Sequence, residues 1–166
     1  LSTQFTAAPA PVTLPAVSSG TIAVVVPDGT AGGITHTLAV NAVPAGATIT
    51  GISVTMNLTH TWISDMVINL KAPNGKTLNL FNARGGAGDN LTNTVISSAS
   101  TTSLASGTPP FTGTFAADAA NGVGPTGSVS DVTTFAGLYS IGNGNWTLAM
   151  RDLFGFDIGT LTSWSI

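Results

Sequence analysis

The chain has no cysteine and no glutamate, and it carries only four basic residues among its 166. Without cysteine, disulfide bonds, thiol catalysis and cysteine-ligated zinc are excluded. The basic residues (Lys71, Lys76, Arg84 and Arg151) are scattered, so they form no cationic face for nucleic acid or anionic lipid. No apolar run approaches the roughly 20 residues that span a bilayer. We therefore expect neither nucleic-acid binding nor membrane insertion.

Charge of either sign is rare, because only 7% of the residues are charged against about 25% in an average domain. The surface must therefore be covered mainly by Thr, Ser, Asn and Gly. Such a neutral, hydroxyl-rich surface is typical of secreted bacterial proteins. The chain begins at Leu1 rather than at Met, and we expect a processed form or a segment of a longer polypeptide.

Short alternating segments separated by Gly, Pro and Asn turns predict an all-β sandwich or jelly roll. Strands are predicted in TIAVVV, ITHTLAVN, GISVTMNLTH, DMVINLKAP, KTLNLFN, PPFTGTF, NWTLAMRD and GTLTSWSI. The turn Pro73-Asn74-Gly75 predicts a hairpin between two of them. Residues 82–108 and 116–134 are rich in small and polar residues, and long loops are predicted there.

The first 20 residues form a separate compositional region. The segment AAPAPVTLPAVSSG contains three prolines, and Pro-rich runs stay extended and avoid sheet interiors. We predict a Pro-rich linker or tail over residues 1–20 and a single β-sandwich over residues 21–166.

Motifs for catalysis are weak. The segment GVGPTG at 122–127 is a literal G-x-G-x-x-G, but Pro125 interrupts it and no helix follows, so a loop is the better interpretation. No HExxH or G-x-S-x-G motif occurs. His36 and His60 lie in phase with apolar strand positions, which favours a structural role. We expect no catalytic residues in this chain.

Aspartates at turns favour a calcium site more than a catalytic one. Asp152 and Asp157 flank a Gly-containing turn before the last strand, and Asp65 interrupts an apolar stretch five residues after His60. Ca²⁺ takes six to eight oxygen ligands, which carboxylates and loop carbonyls supply. Asp89, in the Gly-rich GGAGDN, is a fourth candidate ligand. The alternative is that each Asp accepts hydrogen bonds from its own turn, or that Asp65 pairs with His60.

Four stretches together resemble the P domain, or Homo B domain, of proprotein convertases, as appended to secreted bacterial proteases and surface proteins. They are HTWISDMVINLKAPNGKTLNL, GGAGDNLTNT, PPFTGTF and GNWTLAMRDLFGFDIGTLTSWSI. The residues that match the family pattern are His60, Asp65, Pro73, Gly75, Asn90, Thr94, Phe111, Gly113, Trp146, Leu148, Asp152, Gly159, Thr160, Leu161 and Trp164. The resemblance covers roughly residues 20–166.

This resemblance implies a jelly roll of about eight antiparallel strands, of the galactose-binding-domain-like type. It also implies a non-catalytic accessory module that stabilises or assists a subtilisin-like or other peptidase domain of the same chain, with calcium dependence and a secreted or cell-surface location. The alternative is an adhesion or carbohydrate-binding module of a bacterial surface protein. Trp62 and Tyr139, with His60, are the candidate binding residues for that alternative.

Overall fold

The computed structural model describes residues 9–166 and contains two packed β-sheets, which confirms the predicted all-β sandwich. The described residues form nine strands: β1 (Val24–Val26), β2 (Ile34–Val40), β3 (Ser53–Thr59), β4 (Met66–Lys71), β5 (Thr77–Asn82), β6 (Leu91–Ser97), β7 (Phe111–Phe115), β8 (Gly144–Asp152) and β9 (Gly159–Ser165). Three short 3₁₀ turns connect them, at Ile63–Asp65, Leu104–Ser106 and Phe135–Leu138. None of the helical turns in this part of the chain has the length and apolarity to cross a membrane.

One sheet has five strands in the order β1-β9-β3-β6-β7, and the other has four in the order β2-β8-β4-β5. Every pairing is antiparallel except that of β6 with β7, which is parallel. The predicted sheet was antiparallel throughout, so this edge pair departs from the expectation. The 13-residue connection that holds the 3₁₀ turn at Leu104–Ser106 carries the chain back to start β7 beside the start of β6.

The core lies between the sheets and follows from the alternation along each strand. Val54, Met56 and Leu58 of β3 point inward and are fully buried, as are Leu148 and Met150 of β8. Burying one such side chain contributes about 1.5–3 kcal/mol. Neighbouring residues of β3 alternate to the opposite face of the sheet. The two-residue period of the sequence thus decided which faces meet.

The prediction of a long loop over residues 82–108 is wrong, because this segment contains the strand β6. Its burial does not alternate strictly, because Thr92 and Asn93 are both exposed. Asn93 also has a positive φ of 48°, and the register of β6 against β3 shifts near this point. A bulge therefore hid the strand period in the sequence.

Residues 17–19, within the predicted linker, run beside the last strand. The N–H of Val17 donates to Ile166 O at 2.8 Å, and the N–H of Ser19 donates to Trp164 O at 2.9 Å. These bonds bring residues 17–19 to the edge of the five-stranded sheet. Residues 1–8 of the predicted linker lie outside the described residues, and the division at residue 20 stays a prediction.

The segment 116–134 covers the outer face of the four-stranded sheet. Asn69 of β4 is fully buried beneath it and donates from Nδ2 to Val123 O at 2.7 Å and to Ser128 O at 2.6 Å. At Gly124 a Cβ atom would lie only 1.9 Å from this nitrogen, and its φ is +127°. Gly124 therefore allows a close approach of the backbone to a side-chain amide, which explains this glycine of GVGPTG without a nucleotide.

Candidate functional site

A buried histidine–aspartate pair joins the two sheets at one end of the sandwich. His60 directly follows β3, and Asp152 is the last residue of β8. Nε2 of His60 lies 3.1 Å from Oδ2 of Asp152, and both side chains are completely inaccessible to solvent. The pair forms because the in-phase positions at the ends of both strands point toward the core.

Both ring nitrogens of His60 are occupied. The backbone N–H of Trp62 donates to Nδ1 at 3.0 Å, which places the proton of the neutral ring on Nε2, facing Asp152. The second oxygen of Asp152, Oδ1, accepts the N–H of Phe154 at 3.2 Å. The pair is therefore closed on both sides by backbone amides.

Two further residues fix the backbone and ring of His60. Asn90, at a positive φ of 68°, accepts the N–H of His60 with its Oδ1 at 2.8 Å and donates its own N–H to His60 O at 3.2 Å. Gly159 packs against the ring, because a Cβ there would lie 2.8 Å from Cδ2 of His60. Both residues match the family pattern, although the sequence did not assign them to a site.

Asp65 ends the 3₁₀ turn before β4 and lies near this pair. The residue as a whole is only 6% exposed. Within residues 9–166 its carboxylate accepts no hydrogen bond from the protein, but its oxygens keep access to solvent, because only Arg151 Nε is buried there without a partner. Desolvation raises the pKa of Asp65, the negative charges of Asp152 and Asp157 raise it further, and His60 partly opposes them. The structure thus brings together four predicted site residues: Asp65, Asp152, Asp157 and His60.

Two of the predicted ligands, Asp157 and Asp89, lie in loops and are less buried than Asp65. Asp157 is half-buried in the β8–β9 loop and accepts the hydroxyl of Thr61 at 2.5 Å. Asp89 is exposed in the Gly-rich loop before β6 and is not among the charges that act on Asp65. Across the described part of the chain, no three His or Asp side chains converge closely enough to form a metal site by themselves.

The two predicted aromatic binding residues do not share a surface. Trp62 is 45% exposed beside His60, where β6 begins. Tyr139 packs against the core and lines a shallow cleft with Ser97 and Phe135, where β6 ends. The seven residues of β6 separate them by about 20 Å at 3.3 Å per residue. The two side chains therefore lie on separate surfaces, and the binding role of each stays a prediction.

Sequence reasoning missed the exposed aromatics of the β8–β9 loop. Phe154 and Phe156 lie between Asp152 and Asp157, and their side chains are 63% and 101% exposed. The sequence pattern indicates only a Gly-containing turn at this position. The signal that could have found them is the segment LFGFDI, which is strongly apolar for a loop.

Comparison with known proteins bears on the family and the fold. The family model of the proprotein convertase P-domain matches residues 49–109, the stretch from the start of β3 to the approach of β7. Leupeptin-inactivating enzyme 1 of Streptomyces exfoliatus is 28% identical over 141 residues, covering 85% of this chain and 23% of that protein.

A solved structure shares the fold. The serine protease of Aeromonas sobria superposes with a TM-score of 0.52 at 15% identity, covering 96% of this chain and 27% of that chain. The chain thus spans about a quarter of the length of both proteins. The resemblance drawn from the sequence motifs is confirmed over residues 49–109, where the family model of the proprotein convertase P-domain matches.

Proposed function

We propose that this domain is a non-catalytic accessory module that stabilises a peptidase domain of the same extracellular polypeptide. The observation that carries the proposal is the P-domain match over residues 49–109. The relatives named as enzymes are about four times longer than the shared region, so there is room in them for a separate catalytic domain. A subtilisin-like serine peptidase is the neighbour that the resemblance favours.

The geometry around His60 supports a structural role. A histidine that acts as general base needs a ring nitrogen directed at a nucleophile or at water. Here one nitrogen faces Asp152 and the other accepts the Trp62 amide. The pair is also sealed from solvent. The pair therefore connects the ends of two strands. Neither ring nitrogen of His60 is available to take a proton from a substrate.

Deletion of the domain tests the proposal. The parent polypeptide would be expressed with and without residues 21–166, and the yield of folded, active peptidase measured. We expect the yield to fall on deletion and the isolated chain to show no hydrolysis of casein or peptide esters. Hydrolysis by the isolated chain, or an unchanged yield after deletion, would contradict the proposal.

We further propose that Ca²⁺ binds near Asp65, Asp152 and Asp157 and stabilises this end of the sandwich. The support is that Asp65 is buried, accepts no hydrogen bond within residues 9–166 and lies close enough to two other carboxylates for their charges to act on it. Partial burial of this carboxylate beside two other negative charges is unfavourable, and a bound cation would relieve it. Since three side chains do not converge, backbone carbonyls and water must supply the other oxygens.

Thermal melting with calcium and with a chelator tests this second proposal. We expect Ca²⁺ to raise the midpoint of the wild-type chain and to leave Asp65→Asn unchanged. Asp89→Asn is the matched control, because Asp89 is exposed and is not among the charges that act on Asp65. This variant should keep the wild-type response to calcium. If calcium does not change the melting midpoint of the wild-type chain, the calcium proposal is wrong.

A further inference from the structure

The largest apolar side chains that the fold leaves in solvent are concentrated at one end of the sandwich. Phe154, Phe156 and Ile158 of the β8–β9 loop are 63%, 101% and 65% exposed, and nearby Trp62 is 45% exposed. We call these four residues the aromatic rim.

The loops that carry the aromatic rim are braced against one another. Thr61, next to Trp62, donates to Asp157, which joins the β3–β4 connection to the β8–β9 loop. The N–H of Phe156 donates to Oδ2 of Asp28 at 3.2 Å, which joins the same loop to the turn after β1. The rim is therefore a fixed feature of three connected loops.

Both the backbone conformation and the exposure of Phe156 are unfavourable. Its φ of +91° lies in the left-handed region, where a bulky side chain costs on the order of 1–3 kcal/mol. Its ring is nevertheless fully exposed, so it gains no burial within this chain. Glycine or asparagine would fit this turn better. An aromatic residue here is explained when something outside the chain covers it.

The size of the rim fits part of a protein interface. With about 150–250 Å² per aromatic side chain, the exposed fractions of Trp62, Phe154 and Phe156 amount to roughly 400 Å². A stable interface covers about 800 Å² on each partner. The rim would form the apolar centre of such an interface, with the polar loop residues around it as its border.

The charges around the rim decide between occupants. Asp28 borders it and lies outside the proposed calcium site, Asp157 adds a second carboxylate when calcium is absent, and residues 27–33, 60–65 and 153–158 contain no lysine or arginine. An anionic lipid surface would be repelled by this border. A second copy of this chain would bring the same two carboxylates face to face, which is also unfavourable. A partner with an apolar pocket bordered by basic or N–H donor groups is complementary.

We propose that the aromatic rim is the surface on which this domain docks against the peptidase domain of its own polypeptide. The inference rests on the proposed function and adds the location of the contact. The rim aromatics enter an apolar pocket of that domain, and its basic or N–H groups meet Asp28 and Asp157.

The double substitution Phe154→Ser with Phe156→Asn tests the docking surface in the parent polypeptide. Asparagine tolerates the positive φ, so the fold of the rim is retained. The matched control is Val129→Ser with Ile141→Ser, because those side chains are 45% and 47% exposed in other loops. We expect the rim variant to lower the yield of active peptidase about tenfold or more, as loss of central interface aromatics does, and the control to leave it unchanged.

Each other result has a distinct meaning. If deletion of the whole domain lowers the yield but the rim variant does not, the docking surface is overturned and the accessory function stands. If deletion has no effect, the accessory function itself fails. If the rim variant lowers the melting temperature of the isolated 166-residue chain, the rim contributes to the stability of the domain itself, and the docking proposal is overturned. Dimerisation of the chain, or its binding to vesicles of anionic phospholipid, abolished by the rim variant would assign the rim to those occupants and overturn the proposal.

Discussion

Gly159 lies directly against the imidazole of His60, with room for a hydrogen but not for a methyl group. A Cβ at 159 would be 2.8 Å from Cδ2 of His60, well inside van der Waals contact. The first residue of β9 thus fixes the ring whose other side bonds to Asp152 at the end of β8. Three strand ends meet at this histidine, and the stability of this end of the domain depends on how they fit.

Substitution of Gly159→Ala should destabilise the chain by about 1–3 kcal/mol, because the added methyl group overpacks a fully buried site. Urea unfolding followed by tryptophan fluorescence measures the change. Gly32→Ala is the matched control, since a Cβ at Gly32 meets nothing within 4 Å and its φ is not in the left-handed region. Equal unfolding midpoints for both variants would show that the ring has space to move.

Removal of the imidazole in His60→Ala should cost about 3–5 kcal/mol, because it leaves the buried Asp152 carboxylate without its partner. The double variant His60→Ala with Asp152→Ala should be less destabilised than the sum of the single variants, which a double-mutant cycle reveals. The exposed pair of Lys76 and Asp131, at 3.4 Å, is the control cycle. Its coupling should fall between 0 and 1 kcal/mol.

The raised pKa of Asp65 predicts a specific pH dependence without calcium. Because the folded-state pKa lies above the unfolded value of 3.8, the folded state binds the proton more tightly. The contribution of protonated Asp65 to stability is fully present below pH 3.8 and is lost as the pH rises through the folded-state pKa. In a chelator, Asp65→Asn should therefore be more stable than wild type at pH 7, with the difference disappearing near pH 3. A wild-type advantage at pH 7 in chelator would mean that the carboxylate has a favourable partner.

Loss of the Asn69 amide should release the segment that covers the four-stranded sheet. Asn69→Ala leaves the carbonyls of Val123 and Ser128 without their donor, which should cost about 1–3 kcal/mol for buried acceptors. Limited proteolysis with mass spectrometry should show faster cleavage between residues 121 and 130. Asn74→Ala, which removes bonds to Gly137 O and Ser140 Oγ at the surface, is the comparison. Faster cleavage in that variant alone would place the anchor elsewhere.

The fold class and most strands were predictable because each depends on short-range pattern. The alternation Val54, Met56, Leu58 continues into His60, so the sequence correctly predicted that His60 belongs to the inner face, and it is 1% exposed. The strand β6 was missed because its bulge interrupts that same alternation at Thr92 and Asn93. A period of two is informative only while the register is unbroken.

The candidate site divides in the same way. The sequence placed Asp65, Asp152 and Asp157 near strand ends, because turn residues and strand phase are local properties. It left open whether Asp65 pairs with His60, and the structure gives the histidine to Asp152 instead. That choice depends on β8 lying beside β4 with Asp152 opposite Met66, a pairing between residues 86 positions apart.

By itself, the sequence determined the two-layer β architecture, the absence of a cationic or thiol-based chemistry and the set of aspartates available at the rims. These follow from composition and from side chains that alternate along a strand. Only the tertiary structure decided which aspartate bonds to His60, which aspartate near that pair accepts no hydrogen bond from the described residues, and that Phe154 and Phe156 face solvent. The physical reason is that burial and pairing at a strand end depend on neighbours distant in the chain. A local sequence pattern does not specify which neighbours those are.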